Sequence, residues 1–194
     1  MNIEMPVTLK MGELMSGEEF FQFCQMNDTL EFERDSNGNI IVMSPTGSFT
    51  GNFNLKISLE LGIWNKETGL GEVFDSSTGF TLPNGAVRSP DVSWIKEEKW
   101  ALLSQADKEK FAPVCPDFVI EIRSKSDDIK YLQNKMGEYI DNGTQLGWLI
   151  DRFDNKVYIY SSRKTMFVHD TLDLKLSGET VLPGFVLDLG ALMK

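Results

Sequence analysis

The run FVIEIR, from Phe118 to Arg123, is the most strand-like stretch of this 194-residue chain. Its β-branched and aromatic residues favour an extended strand, in which alternate side chains point to opposite faces. Glu121 therefore shares a face with Arg123, in the middle of a predicted core strand. Because a buried, unpaired carboxylate is costly, Glu121 should either bind a cation or form an ion pair, with Arg123 or across the sheet.

The elements around this strand predict an α/β (α+β) fold. Downstream, an apolar helical face begins at Ile129 and stops at Asn142-Gly143, and strands follow at 146–151, 156–160 and 165–169. Upstream, strands are predicted at 72–75, 79–82, 86–88 and 91–96, an order typical of an antiparallel meander. Residues 97–116 are charged and end in a proline-rich segment, which indicates an excursion between two core strands.

The N-terminal part predicts a helix and a β-hairpin. Ser16 stands three residues before Glu19, a capping-box pattern that predicts a helix over 16–26. Residues 30–34 and 39–43 then flank Asn37-Gly38, a pair typical of a hairpin turn. Glu31 and Glu33 share one face of the first hairpin strand.

The segment 53–64 fits two interpretations. Its alternation predicts a strand, but on a helix its apolar residues form two opposite stripes, which suits a helix packed between two layers. The stripes are Phe53, Ile57, Leu61 and Trp64 on one side, and Leu55, Leu59 and Ile63 on the other. We favour the helix, chiefly because of the family resemblance described below.

Composition limits the class of protein. The length suits a single domain over 1–194. The net charge of -10 has the wrong sign for a protein that coats nucleic acid nonspecifically, so any DNA contact needs a local patch or bound cations. No long apolar run or signal-like start occurs, which predicts a cytoplasmic protein without a membrane segment.

Other chemistries find little support. Cys24 and Cys115 have no CxxC spacing or neighbouring ligands, so reduced thiols are expected rather than a zinc site. His169 is the only histidine and lies in a strand-like segment without a nucleophile motif, which argues against Ser-His or Cys-His catalysis. No phosphate-binding glycine motif indicates a nucleotide cofactor.

The acidic residues carry the most specific signal. Asp91 follows Ser89-Pro90 at the start of a predicted strand, and Glu121 comes thirty residues later. A carboxylate, a second one about 30 residues on and a basic residue two further resemble the PD-(D/E)xK nucleases. A second Pro-Asp pair, Pro116-Asp117, makes a poor alternative because it lies in the same strand as Glu121.

The resemblance extends over nearly the whole chain. Segments 40–47, 88–91, 116–124, 135–139 and 146–151 together resemble the bacterial family described as "putative restriction endonucleases". This resemblance implies a restriction-endonuclease-like fold, a mixed β-sheet flanked by helices with a metal site at the diverging strand ends. It also implies Mg²⁺ as cofactor, with Mn²⁺ as a substitute, DNA as substrate, and a homodimer that cuts both strands.

Roles for individual residues follow from the resemblance. Asp91 and Glu121 would hold the metal, and Glu33, or Glu31 with less support, would add a third carboxylate. Arg123 occupies the position of the motif lysine but cannot release a proton at working pH. Lys135, on the flank of the next helix, could supply the missing lysine, and Arg88 or Arg123 could bind a backbone phosphate.

Simpler interpretations of these residues stay open. Lys135 could be a surface lysine whose stem covers apolar area, and Glu33 could belong to a solvated strand face. The leading functional hypothesis is a Mg²⁺-dependent endodeoxyribonuclease. The alternative is a catalytically inactive relative that keeps the fold as a binding or regulatory module, which Arg123 and the acidic charge would favour.

Overall fold

The structure, a computed structural model, describes residues 6–11, 15–163 and 165–193. The helices in these ranges are α1 (Gly17–Met26), α2 (Ser48–Thr68), α3 (Glu97–Trp100), α4 (Gln105–Lys108), α5 (Ile129–Asp141) and α6 (Leu189–Leu192). The strands are β1 (Val7–Leu9), β2 (Glu31–Arg34), β3 (Ile40–Met43), β4 (Gly71–Asp75), β5 (Phe80–Thr81), β6 (Val87–Arg88), β7 (Val92–Lys96), β8 (Phe118–Ile122), β9 (Leu146–Asp151), β10 (Lys156–Ser161), β11 (Met166–His169), β12 (Lys175–Ser177) and β13 (Val186–Asp188). Of the helices described, none is both long and apolar enough to cross a membrane.

A six-stranded mixed sheet forms the centre of the fold, in the order β11-β10-β9-β8-β7-β4. Strands β8 and β9 are parallel and α5 connects them, while the other neighbours pair antiparallel. The predicted core strand is β8, and all five of its residues are buried. It therefore needs a neighbour on each edge and a cover on each face.

The two faces of β8 pack against different helices, as its alternation predicts. Phe118, Ile120 and Ile122 belong to a core cluster that includes the buried side of α2. Val119, on the opposite face, belongs to a cluster with the apolar side of α5. A mixed sheet between two helical layers is the predicted restriction-endonuclease-like class.

Helix α2 confirms the helical interpretation of 53–64 and corrects its packing. The helix runs from Ser48 to Thr68, and Gly47 is its N-cap. The first stripe is buried, but Leu55, Leu59 and Ile63 are each more than half exposed. The expectation of a helix between two layers is therefore wrong, because the sheet covers only one side of α2 within the described residues.

The predicted antiparallel meander is also wrong. Strand β7 pairs directly with β4 along its whole length, and the short β5–β6 hairpin leaves this sheet. Strand β6 joins β2 instead, in a second sheet of order β1-β3-β2-β6-β5. The physical reason is that β7 is buried on both faces except at its end and needs a long partner on each edge, β8 on one side and β4 on the other.

The N-terminal helix and hairpin are confirmed. Ser16 and Glu19 form a reciprocal capping box at the start of α1. In the β2–β3 hairpin, Gly38 has a φ of 83°, and the carboxylate of Asp35 accepts from the backbone of Asn37 and Asn39. The hairpin matters for the site because its strand β2 carries Glu33 to the central sheet.

Candidate active site

Strand register brings Asp91 and Glu121 together. Val92 pairs with Ile120 in the antiparallel β7–β8 ladder, so the preceding residue, Asp91, lies opposite Glu121. Opposite residues of an antiparallel pair point to the same face with their Cβ atoms about 5 Å apart. The Asp91 carboxylate also accepts from the backbone N–H of Ile122 at 2.7 Å. Two carboxylates thirty residues apart thus meet at one edge of the sheet.

Helix α5 supplies two partners for Glu121. The Lys135 ammonium lies 2.8 Å from Glu121 Oε1, and the Tyr139 hydroxyl donates to the same oxygen at 3.1 Å. Lys135 and Tyr139 are four residues apart, so they share one side of the helix. Tyr139 was not predicted to act in the site, although its position one turn after Lys135 on the buried face is the signal that could have indicated it.

Glu33 reaches the site from the second sheet. The pairing of Arg34 with Val87 brings β2 beside β6, and the Glu33 carboxylate accepts from the backbone N–H of Ser89 at 2.9 Å. Its other contacts are Lys135 at 2.7 Å and Arg88 at 3.0 Å. The side chain of Glu33 is 1% exposed, whereas Glu31 is exposed. Glu33 therefore does not lie on a solvated strand face, and Lys135, whose side chain is 3% exposed, is not a surface lysine.

In the cluster formed by Glu33, Asp91, Glu121, Lys135 and Arg88, three carboxylates face two cations. Burial raises the pKa of Asp91 to about 6, and burial together with Asp91 and Glu33 raises the pKa of Glu121 to about 8 despite Lys135. Burial opposes ionisation of Glu33 too, but Lys135 and Arg88 outweigh it and lower the pKa of Glu33. Glu121 shares the Lys135 ammonium with Glu33, so Asp91 and Glu121 together carry more negative charge than the neighbouring cations compensate.

Glu33, Asp91 and Glu121 form what we call the acidic cluster. It opens on a cleft of about 970 Å³ between the sheet, the β2–β3 hairpin and the start of α2. Its walls include Glu33, Asp91, Glu121 and Lys135. Ligand sites generally combine a concave surface with a few convergent polar groups and perturbed pKa values. This cleft is consequently the candidate active site.

Comparison with known proteins assigns the family. The family Uma2, described as "Putative restriction endonuclease", matches residues 18–190, which is nearly the whole chain. The chain belongs to the Uma2 family. The predicted membership in the restriction-endonuclease-like superfamily is thereby confirmed, and the match includes every residue of the acidic cluster. No protein of curated function matches the sequence.

The fold of this Uma2-family protein is similar to a solved one. The similar structure is described as "a putative nuclease belonging to DUF820 from Anabaena variabilis ATCC 29413". It has a TM-score of 0.72 and 18% sequence identity, and the alignment covers 93% of this chain and 99% of the other. At that identity the similarity establishes the fold.

The donor set of the Uma2-family site suits a hard divalent cation. Asp91 and Glu121 offer carboxylate oxygens, which Mg²⁺ prefers, and Mg²⁺ commonly binds through one or two carboxylates while keeping several waters. Within the described residues, no group of three or more His, Cys, Asp or Glu is arranged to hold a metal ion. A two-carboxylate site completed by water and substrate oxygens fits this arrangement, and a closed all-protein site does not.

The two arginines expected to bind phosphate have other partners in the structure. The side chain of Arg88 is 7% exposed and pairs with Glu33 and with Glu138. Arg123 pairs with Asp151 and Asp154, and not with Glu121. Neither arginine lines the cleft, although both roles in binding stay predictions.

The excess of carboxylates predicts an unusual pH dependence of stability. Unfolded, Asp91 and Glu121 would lose their protons near their ordinary pKa values of 3.8 and 4.5; folded, their pKa values are about 6 and about 8. Between these values the folded state binds more protons, so the free energy of unfolding falls as the pH rises. We expect metal-free protein to lose up to about 5 kcal/mol between about pH 5 and about pH 9, since each unit of raised pKa corresponds to about 1.4 kcal/mol.

Urea unfolding in EDTA measures this loss. Asp91→Asn, which keeps an oxygen to accept from Ile122, should flatten the dependence, and Mg²⁺ should restore stability most at the alkaline end. Glu33 acts oppositely, because a lowered pKa matters only near and below its ordinary value, outside this range. Stability that rises steadily towards pH 9, or an unchanged slope in Asp91→Asn, would contradict the expectation.

Proposed function

We propose that this protein is a Mg²⁺-dependent endonuclease that hydrolyses phosphodiester bonds of DNA. The family and the fold support a nuclease in general. The observation that carries the finer proposal is the pair of carboxylates, partly buried Asp91 and buried Glu121, which share one face at a cleft where negative charge exceeds positive charge.

In this proposal Asp91 and Glu121 hold the metal ion. Bound Mg²⁺, or Mn²⁺ in its place, would polarise the phosphodiester and lower the pKa of the attacking water. Asp91 is oriented for this by the Ile122 N–H, and Glu121 by the Tyr139 hydroxyl. Their role is to fix two oxygen donors in one place before substrate arrives, which avoids a cost of reorganisation during the reaction.

Lys135 acts as a permanent cation rather than a base. Burial alone would lower the pKa of Lys135, but Glu121 and Glu33 outweigh it and raise the pKa well above its ordinary value. The ammonium therefore stays protonated at working pH. It can donate hydrogen bonds to the water or stabilise charge that develops on the phosphate, and the absence of a lysine at position 123 is no obstacle to that role.

Arg88 takes a positioning role. Its guanidinium holds Glu33, and Glu33 in turn holds the Lys135 ammonium, which also contacts Glu121. Charge-assisted hydrogen bonds of this kind restrict the donor to one orientation. Through these contacts, Arg88 and Glu33 fix the position of the Lys135 ammonium beside Glu121.

A nicking experiment tests the proposed function. Wild-type protein is expected to convert supercoiled plasmid to relaxed circles with Mg²⁺ or Mn²⁺ and not in EDTA, and Asp91→Asn is expected to abolish nicking because it removes one of the two anionic ligands. Asp117→Asn is the matched control, since Asp117 stands in the other Pro-Asp pair but bonds to Lys96 and Lys99 outside the cleft.

The outcomes separate the two hypotheses. Equal nicking by wild type and Asp91→Asn would show a contaminating nuclease and reject the site. No nicking under any metal, with DNA binding retained, would favour the catalytically inactive binding module. The homodimer stays a prediction, which sedimentation of the protein and the appearance of linear plasmid would measure.

A further inference from the structure

Arg152 stands at the rim of the same cleft and was not singled out by any sequence pattern. It directly follows β9, in a turn that Asp151 fixes by accepting from the backbone of Phe153 and Asp154. Asp151 is fully buried and is itself held by Arg123. The position of Arg152 is therefore set by the sheet and not by a free loop.

Two phenylalanines enclose the guanidinium of Arg152. Its central carbon lies 4.5 Å from the ring centroid of Phe49 and 5.3 Å from that of Phe153, within the range of a cation–π contact. Both rings line the cleft and are about half exposed, at 53% and 49%. We call these three side chains the Arg152 clamp. The rings hold the guanidinium and still present open aromatic surface to the cleft.

The clamp has unused hydrogen-bonding capacity. Arg152 donates to the Thr50 hydroxyl at 2.8 Å, while its buried Nε has no partner. Throughout the part of the chain that the structure describes, Arg152 forms no ion pair. A guanidinium carries five N–H donors, and in a chain of net charge -10 an arginine without a carboxylate is conspicuous. Arg88 and Arg123 each pair with two carboxylates, whereas Arg34 on β2 donates to three backbone carbonyl groups.

Simple packing does not account for this arrangement. An arginine that only stabilises the fold gains most when paired with a carboxylate, and Asp151 and Asp154 beside it in sequence pair with Arg123 instead. An unpaired guanidinium in front of a site that is short of positive charge is suited to a polyanion. The flanking aromatic rings are suited to bases, because base–aromatic stacking is independent of sequence.

We propose that the Arg152 clamp binds the nucleic acid strand beside the acidic cluster, with Arg152 on a backbone phosphate and Phe49 and Phe153 stacked on unpaired bases. This rests on the proposed function and specifies its substrate as a strand with unpaired nucleotides. The clamp supplies the local positive patch that an acidic nuclease requires. It binds substrate and leaves the hydrolytic step to Asp91, Glu121 and Lys135.

Binding to a labelled single strand of about 12 nucleotides tests the proposal. The parent is Glu121→Gln, which prevents cutting, and fluorescence anisotropy gives Kd over a range of salt. Adding Arg152→Ala should weaken binding roughly tenfold or more and reduce the salt slope by about 1. Arg152→Lys keeps the charge and should recover part of the loss. The matched control is Arg163→Ala, an exposed arginine in the turn between β10 and β11.

The aromatic part of the clamp has its own test. Phe49→Leu and Phe153→Leu should weaken binding of the single strand several-fold, on the order of the energy of one lost stack, and weaken a duplex of the same sequence less. In otherwise wild-type enzyme, Arg152→Ala should raise KM for a single-stranded substrate more than it lowers kcat. Thermal melts confirm that each variant is folded.

Failure of this inference is distinguishable from failure of the proposed function. If wild type cuts DNA and Arg152→Ala binds as tightly as its parent, the clamp is wrong and the nuclease stands. Equal losses for Arg152→Ala and Arg163→Ala would also overturn the clamp, since they would reflect net charge alone. If the parent binds no strand and wild type cuts none, both proposals fall together.

Discussion

Glu121→Gln is expected to inactivate the protein and to stabilise it in the same experiment. Nuclease activity should fall about a thousandfold or more, because the substitution removes one of the two anionic metal ligands of the proposed site. Stability of the metal-free protein near pH 8 should rise by on the order of 1–2 kcal/mol, because a buried carboxylate that faces Asp91 and Glu33 is replaced by a neutral group. Glutamine can still accept from the Tyr139 hydroxyl.

Two measurements and one control make this prediction sharp. Plasmid nicking gives the activity, and urea unfolding in EDTA gives the free energy of unfolding. Glu72→Gln makes the same chemical change at an exposed position of β4 in the same sheet, and should alter neither quantity. A Glu121→Gln variant that is clearly less stable than wild type would mean that the ion pair with Lys135 outweighs the carboxylate repulsion, and would contradict the expected excess of negative charge.

Lys135→Met is expected to have the largest effect on stability. The ammonium lies within 2.8 Å of both Glu33 and Glu121 and is 3% exposed, so its removal leaves two buried carboxylates without their shared cation. Breaking a buried ion pair in this way costs about 3–5 kcal/mol. For a chain of this length the thermal midpoint should fall by roughly 10 °C, and activity should be lost.

A rescue experiment keeps this prediction testable if the single variant folds poorly. Adding Glu121→Gln to Lys135→Met removes one stranded carboxylate and leaves Glu33 with Arg88, so most of the stability should return while activity stays absent. Lys130→Met is the control, because Lys130 lies on the same helix and is exposed. A Lys135→Met melt indistinguishable from that of Lys130→Met would show that the ammonium is not needed by the cluster.

Local patterns were sufficient for much of this architecture. The capping box at Ser16, the hairpin turn at Asn37-Gly38 and the alternation of β8 each depend on residues a few positions apart, and each is present in the structure. The same is true of α5, whose apolar face and stop at Asn142-Gly143 are both read within a few turns. Such features are decided by backbone preference and side-chain period, which are properties of short segments.

The pairing of strands was harder to predict because it is a competition among distant partners. Alternation marks β4, β5, β6 and β7 as strands, but it contains no information on which of them is hydrogen-bonded to which. The outcome depends on length and burial: β7 takes the long partners β4 and β8, and the short β5–β6 hairpin joins β2. The exposed stripe of α2 was not predicted for a similar reason, since an apolar helix face does not indicate which element, if any, packs against it.

The site depends both on local sequence patterns and on contacts between residues that are distant in the sequence. Strand placement, spacing and the family resemblance together selected Asp91 and Glu121, and the placement is informative because a carboxylate in an apolar strand is costly wherever the strand lies. The partners of that pair could not be selected in this way, since an ion pair forms between groups that folding brings within a few ångströms. Packing of α5 on the sheet places Lys135 within reach of both Glu33 and Glu121. Elsewhere the fold pairs Arg88 and Arg123 with other carboxylates and leaves Arg152 without an ion pair at the cleft, within the described residues.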